Sequence, residues 1–301
     1  MAKEIGFIGL GAMGKPMALN LARKGFPLRV YDIVKEKMDP LVARGAKACG
    51  SPREVAGTCP VLITILPAPE DVRLAVLGKE GVIEGIQPGS TLIEMSTIDP
   101  ITSREVGEAL AAKGGRMLDA PVARGVPAAE AGTLSLFVGG EKEVYEECLE
   151  IMQAMGTDIF HVGGAGCGHV VKMINNLILG GTVALLSESL VLGVKAGVKP
   201  DRLYEALCEG SAASFALKNH VGNSVLKGVF EEGRFPVDYM MKDLSLAMET
   251  GKRLHVPLPL GALAMQAYES ARAAGKGKKY YPVVITQWEE LTGVKVRSEG
   301  Y

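Results

Sequence analysis

The sequence predicts an α/β Rossmann domain, built on a mostly parallel doubly wound sheet, followed by an all-α domain joined to it by a long helix. Three observations predict this. Short β-rich runs alternate with helix-period segments through the first half, the first run enters a glycine-spaced turn, and beyond about His161 the period becomes almost wholly helical. With 301 residues, 48% of them hydrophobic, the chain is long enough for two domains and apolar enough to fill both. The domains are expected at 1–163 and 164–301.

Taken in order, Ile5–Ile8, Leu28–Tyr31, Val61–Leu66, Thr91–Glu94, Arg116–Asp119 and Leu134–Val138 read as strands. Lys15–Lys24 and Arg104–Lys113 read as helices between them, and Gly25-Phe-Pro, Pro67-Ala-Pro69 and Gln87-Pro-Gly89 punctuate the boundaries. Val162–Gly168 is glycine-rich and reads as a hinge. The stretch from His169 to Ala196, apolar on most faces, reads as a buried helix that Gly197 and Pro200 end. Further helices are expected near Pro200–Cys208, Phe215–Lys227, Tyr239–Lys252, Leu260–Ala274 and Tyr281–Leu291.

Charge and cysteine usage narrow the function classes. A formal charge of −1 offers no general basic surface for nucleic acid. Five scattered cysteines, at 49, 59, 148, 167 and 208, show neither zinc spacing nor a disulfide framework, so reduced thiols and no metal are expected. Cys167, between two glycines ahead of a helix, is the one thiol whose position leaves reactivity open. The apolar run Leu177–Leu186 falls short of the ~20 residues that span a bilayer. The amino-terminal residues enter a strand rather than a leader, and a cytoplasmic protein without membrane or nucleic-acid partners is expected.

The cofactor signal is Gly9, Gly11 and Gly14, a G-x-G-x-x-G turn between strand and helix, with Ala12 and Met13 inside it. The glycines permit a tight turn, close approach of backbone to a pyrophosphate and helix–strand packing, while the helix start faces the phosphate charge. Asp32 ends the next strand 18 positions beyond Gly14, where a carboxylate accepts from ribose hydroxyls and repels a 2′-phosphate. NAD is therefore expected, and NADP is disfavoured, with Lys35 and Lys37 leaving some tolerance.

Gly168-His-Val-Val-Lys172-Met-Ile-Asn175-Asn176 carries the chemistry. On a helix, Lys172 and Asn176 share a face one turn apart, with Asn175 beside them, in apolar surroundings where an ammonium is costly without a partner or a function. A lysine reaching out to solvent is the bland alternative. His169 reads as a helix-start residue with no role assigned.

Four motifs together resemble the β-hydroxyacid dehydrogenase family: Gly6-Phe-Ile-Gly-Leu-Gly-Ala-Met-Gly14, Asp119-Ala-Pro-Val122, Gly168-x-x-x-Lys172-x-x-x-Asn176 and Lys242-Asp-Leu244. The resemblance covers essentially the whole chain and implies an oxidoreductase working as a homodimer or homotetramer. It implies that Lys172 is the catalytic lysine, that Asn176 and Asn175 orient substrate, and that Met13, Leu66, Pro67, Thr97 and Lys242 contact the dinucleotide. Where the family commonly has Val-Ser-Gly-Gly holding a carboxylate, this chain has Val122-Ala123-Arg124-Gly125. Arginine is a planar bidentate donor suited to carboxylate, sulfonate or phosphate, and this slot resembles that of the family's sulfolactaldehyde reductases. Arg124 is otherwise read as pointing to solvent or to Glu130.

The expected reaction is reversible hydride transfer between a short anionic β-hydroxy acid, bearing a primary alcohol, and its semialdehyde. Sulfolactaldehyde, 3-hydroxyisobutyrate, tartronate semialdehyde, 4-hydroxybutyrate and 2-(hydroxymethyl)glutarate chemistry all stay open. A non-catalytic dinucleotide-binding protein and an NADP-linked sugar-acid oxidoreductase are the rival readings.

Overall fold

The computed structural model describes residues 3–299. The chain forms two compact units, the first ending at Lys172 and the second beginning at Met173. The first holds β1 (Ile5–Ile8), α1 (Gly14–Arg23), β2 (Leu28–Tyr31), α2 (Asp39–Val42), β3 (Lys47–Ala48), α3 (Pro52–Ala56), β4 (Val61–Thr64) and α4 (Pro69–Leu77). It continues with β5 (Thr91–Glu94), α5 (Pro100–Ala111), β6 (Arg116–Asp119), β7 (Val122–Ala123), α6 (Gly125–Ala131), β8 (Leu134–Gly139), α7 (Lys142–Gln153) and β9 (Gly156–Gly163). The helix α8 (Cys167–Lys195) begins in this unit and ends in the next.

The strands form one sheet in the order β3-β2-β1-β4-β5-β6-β8-β7, with β9 paired to β8. The pairs from β3 to β6 are parallel, as is β8 with β9, and β8 runs antiparallel to β6 and β7. Alternation along each strand fills both faces. Phe7, Ile63 and Ile93 enter one core with α1 and α7, while Ile8, Leu62 and Leu92 enter the other with α3, α4 and α5. Parallel pairing carries the ends of β1, β4 and β5 to the same edge, where a doubly wound sheet takes its ligands.

The second unit is helical, with α9 (Pro200–Glu209), α10 (Val237–Arg253), α11 (Pro259–Ala273) and α12 (Thr286–Thr292). Its core gathers Leu190, Leu217, Met240, Leu244, Tyr268 and Tyr281, and the Tyr268 hydroxyl donates to the Gly180 carbonyl at 3.1 Å.

Several sequence expectations need correction. The strands β3, β7 and β9 and the helices α2, α3, α4, α6 and α7 lie outside the predicted elements. The glycine-rich segment is mostly ordered secondary structure: Val162 and Gly163 close β9, and Cys167 already opens α8. The helix expected at Phe215–Lys227 is a π-helix over Ala216–Val225, and that expected at Tyr281–Leu291 divides into a 3-10 turn, Tyr281–Ile285, and α12. The apolar run also understates α8. The helix runs 29 residues, as the His169–Ala196 reading expects, and an 18-residue stretch of it with mean hydropathy 1.9 meets the length and composition of a bilayer span. Its polar side chains His169, Lys172, Asn176 and Ser187 are nevertheless buried within the protein, as in a core helix.

Candidate active site

The glycine turn leaves the end of β1 and opens α1. Gly9 has φ +95°, a left-handed conformation, and an added Cβ would stand 2.3 Å from the Ile65 carbonyl oxygen. A Cβ at Gly14 would lie 1.9 Å from the Gly9 oxygen, so helix and strand meet there with no room for a side chain. At Gly11, by contrast, a Cβ would meet no protein atom within 4 Å. The turn is thus tight against the protein at its first and third glycines and open at the second, the arrangement needed for a pyrophosphate lying against bare backbone. Ala12 is exposed and Met13 half-buried in the same turn.

Asp32 follows β2 and is buried. Its Oδ2 accepts from the Leu10 amide at 2.7 Å and its Oδ1 from the Val34 amide at 2.8 Å, with the Lys37 ammonium 3.5 Å away. One carboxylate therefore pins the glycine turn to the second strand. A carboxylate has about four acceptor positions, so two amides leave capacity for ribose hydroxyls. The residues present fit an NAD molecule.

Leu66 and Pro67 follow β4, and Thr97 follows β5, on the same sheet edge as the glycine turn. The Leu66 amide donates to Ser96 Oγ at 2.8 Å, and the Ser96 amide donates to Glu94 Oε1 at 3.0 Å. These bonds tie the two loops into one rim. A groove of about 440 Å³ opens between α1 and α6, walled by Ala12, Lys15, Arg23, Val126 and Glu130.

Arg124 caps α6 from a left-handed conformation, φ +85°. Val122 is buried and Ala123 half-buried in β7, and Gly125 is exposed at the helix start. The guanidinium donates to Asp158 Oδ2 at 2.6 Å and to the Thr133 carbonyl at 3.1 Å. Its carboxylate partner is Asp158 of β9, rather than the Glu130 offered by the sequence reading. Arg124 holds the Asp158 carboxyl below its ordinary range, after the larger effect of the Thr157 hydroxyl.

Lys172 sits on the second turn of α8 and is 8% exposed, so most of its side chain is held away from bulk water. Asn176, one turn on, is buried as well. In the second unit Asn175 Nδ2 donates to Asn176 Oδ1 at 2.8 Å, while Asn176 Nδ2 donates to Asp243 Oδ2. Asp243, on α10 and 1% exposed, also lies 3.2 Å from the Lys242 ammonium through Oδ1. Asp243 is a buried partner of a predicted site residue that the sequence does not single out. It stands inside the quoted Lys242-Asp-Leu244 motif, but nothing local says that it orients an asparagine on another helix. The apolar neighbours Ile174 and Ile178, by contrast, are exposed.

Among the described residues no group of three His, Cys, Asp or Glu side chains is placed to hold a metal. All five cysteines are free; burial pushes the Cys59 and Cys148 thiols up to about 11, and Cys167 is half-buried.

A parallel sheet with a glycine turn, an acidic residue ending the next strand and a buried lysine leading a long helix together define a Rossmann-type dinucleotide-dependent oxidoreductase. Comparison with known proteins makes the class specific. Residues 4–163 match the NAD binding domain of 6-phosphogluconate dehydrogenase, and residues 166–285 match the NAD-binding domain of NADP-dependent 3-hydroxyisobutyrate dehydrogenase. The chain is 41% identical to the 2-(hydroxymethyl)glutarate dehydrogenase of Eubacterium barkeri, covering 97% of both proteins. It is 36% identical to the 3-sulfolactaldehyde reductase of Escherichia coli strain K12, over 97% of this chain and 98% of that protein. The solved 3-hydroxyisobutyrate dehydrogenase of Mycobacterium tuberculosis superposes with a TM-score of 0.86 at 29% identity, over 95% of this chain and 99% of that one. The chain belongs to the 3-hydroxyisobutyrate dehydrogenase family, the NAD-dependent β-hydroxyacid dehydrogenases, and acts on CH–OH groups.

Proposed function

We propose that this enzyme interconverts a short anionic β-hydroxy acid and its semialdehyde, with Lys172 as acid and base and Arg124 as reader of the substrate's anionic group. The observation that carries the reading is a buried ammonium and a buried carboxamide one turn apart on α8. When bound, NAD supplies the hydride acceptor, and NADH the donor. In reduction Lys172 gives a proton to the carbonyl oxygen as negative charge develops there; in oxidation it removes the proton from the alcohol. Asn176, its amide set by Asp243 and Asn175, fixes the alcohol oxygen, and the Lys242 side supports the nicotinamide. Gly9, Gly11, Ala12, Met13, Gly14, Leu66, Pro67 and Thr97 hold the dinucleotide, and Asp32 favours NAD over NADP.

Arg124 must exchange Asp158 for the substrate's anion in this scheme. Both side chains of that pair are 42% exposed, and such pairs contribute only about 0–1 kcal/mol, so a bidentate anion competes readily. Sulfonate is the leading head group because Ala123 stands where the family commonly has serine and Arg124 brings a guanidinium where it has the first glycine; a second carboxylate, as in 2-(hydroxymethyl)glutarate, is the alternative that the 41% relative favours.

Turnover with NAD(H) on sulfolactaldehyde and on succinic, tartronic, malonic and methylmalonic semialdehydes identifies the substrate. Lys172→Ala is expected to lose about 10²–10⁴-fold in kcat while still binding NADH; undiminished turnover removes the mechanism and revives a purely dinucleotide-binding protein. Arg124→Ser is expected to change the substrate ranking, and an unaltered ranking removes its role. We further assign a homodimer or homotetramer in the cytoplasm. Ile178, Leu185 and Leu192, each more than 60% exposed, recur every seven residues along α8 and give an apolar stripe for a second copy. Leu185→Glu is expected to yield monomers by light scattering.

A further inference from the structure

Three titratable side chains from distant parts of the chain meet inside the first unit: Glu94 at the end of β5, Asp119 at the end of β6 and His169 on the first turn of α8. They are 0%, 2% and 0% exposed. The imidazole Nε2 lies 3.1 Å from the Ser96 carbonyl oxygen and 2.9 Å from Glu94 Oε2. The Ser96 carbonyl takes the directed hydrogen bond; Glu94 Oε2 makes none, and its contact with the ring becomes an ion pair when the imidazole is protonated. On the other side of the ring, Nδ1 faces Asp119 Oδ2 at 3.5 Å.

The three oxygens set against the ring nitrogens, the Ser96 carbonyl, Glu94 Oε2 and Asp119 Oδ2, are all acceptors. A neutral imidazole has a lone pair on one nitrogen, which would face an oxygen, whereas an imidazolium presents N–H on both sides. Two carboxylates this deeply buried stay ionised only with a cation between them: burial pushes the Asp119 carboxyl up, and a charged His169 acts against that rise. Burial pushes the His169 pKa down, but Glu94, then Asp119 and the Ser96 carbonyl, outweigh it and the net shift is upward.

The cluster is joined to the helix start and to the cofactor rim. Asp119 accepts from the Gly166 amide at 2.7 Å and from the His169 amide at 3.0 Å, satisfying donors at the amino end of α8. Gly168 is pressed against it, since a Cβ there would stand 2.8 Å from Asp119 Oδ2. Ser96, which takes the His169 ring bond through its carbonyl, receives the Leu66 amide on its hydroxyl. His169 and Lys172 are three residues apart, on the same side of the helix.

We infer that His169 is a positioning residue, held as an imidazolium between Glu94 and Asp119, that fixes the Lys172 turn of α8 relative to the Leu66 and Ser96–Thr97 loops. The inference rests on Lys172 being the catalytic group, but its charge-state half can be read without turnover. The chain has four histidines, so the His169 ring is assignable by NMR in the apo protein. Its ring is expected to titrate above the ordinary histidine value; a ring that titrates at or below that value overturns the proposal.

His169→Gln keeps an N–H for the Ser96 carbonyl and removes the charge. Its kcat is expected to fall at least about tenfold while the Kd for NADH stays within about threefold, because the bond to the rim survives. The like-charged Glu94–Asp119 pair should then take up a proton, adding an inflection to the pH profile of kcat that the native enzyme lacks. The double variant His169→Gln/Glu94→Gln restores the charge balance and is expected to lose that inflection and regain most of kcat. A native kcat and pH profile in His169→Gln, or no recovery in the double variant, overturns the inference. Failure of Lys172→Ala to lose turnover would instead remove the catalytic reading and leave the NMR result standing.

Discussion

Asp243→Ala isolates the contribution of the carboxylate that sets Asn176. It removes the acceptor of a buried amide and leaves Asn176 Nδ2 to find another partner in a region where Asn176 is 3% exposed. An unmade buried hydrogen bond of this kind costs about 1–3 kcal/mol. The Lys242 contact adds little: its ammonium belongs to a side chain 23% exposed, which can turn toward water, so its share is under about 1 kcal/mol. The total of about 1–4 kcal/mol corresponds to a fall in Tm of roughly 2–16 °C at about 2–4 °C per kcal/mol. Asp243→Asn retains an acceptor oxygen and the shape of the side chain, and is expected to lose less than half as much. Activity separates orientation from stability: at a temperature where both variants are folded, Asp243→Ala should lose about tenfold in kcat with an unchanged KM for NADH. Differential scanning fluorimetry and steady-state kinetics give both quantities. A Tm within 2 °C of native together with a kcat within about twofold would refute the claim that Asp243 orients Asn176.

Asp32→Ala removes the acceptor of two backbone amides and the discriminator against a 2′-phosphate; the Kd for NADH should rise about 10–100-fold and the NADH/NADPH ratio should fall, as read by cofactor fluorescence. Gly14→Ala places a methyl 1.9 Å from the Gly9 oxygen and should abolish detectable NADH binding, so a variant with native affinity would show that the turn can open. His220 in the second unit is held neutral, burial first and then Arg234 bringing its pKa down to about 4. A histidine depressed in the folded state contributes stability in full above its unfolded value near ~6.5, and that contribution is lost as pH falls toward 4. The shift corresponds to about 3 kcal/mol, so His220→Phe should unfold with a shallower dependence on pH between 6.5 and 4 in urea titrations.

The strands that show plainly in the sequence are the four-residue apolar runs buried on both faces, such as Val61–Thr64 and Thr91–Glu94. β3 and β7 have two residues each, too few to show a period, and β9 mixes Thr157, Asp158 and His161 among its apolar residues. α7 carries a readable signal in Val144, Cys148, Ile151 and Met152, whose spacing of three and four makes one buried face. In the site, the glycine turn and the Lys172–Asn176 spacing are local and hence legible. The partners of Arg124 and Asn176 are set by tertiary contacts 34 and 67 positions away, and the bond from His169 to Ser96 spans 73. No window of sequence contains both ends of such a bond. The buried histidine consequently reads as a helix-start residue, although it is the charge at the centre of the first unit's polar core.

Arg124 has a consequence for how this enzyme weighs durability against recognition. A side chain in the left-handed region costs about 1–3 kcal/mol that glycine avoids, and the exposed bonds to Asp158 and the Thr133 carbonyl, screened by solvent, return little of it. The resting fold would therefore be sturdier with Arg124→Gly, and a selection for heat tolerance alone should arrive at that change. On the proposed role of Arg124, a chain that keeps the bulkier residue accepts a weaker ground state, and the return would come during turnover, when the guanidinium closes on an incoming anion.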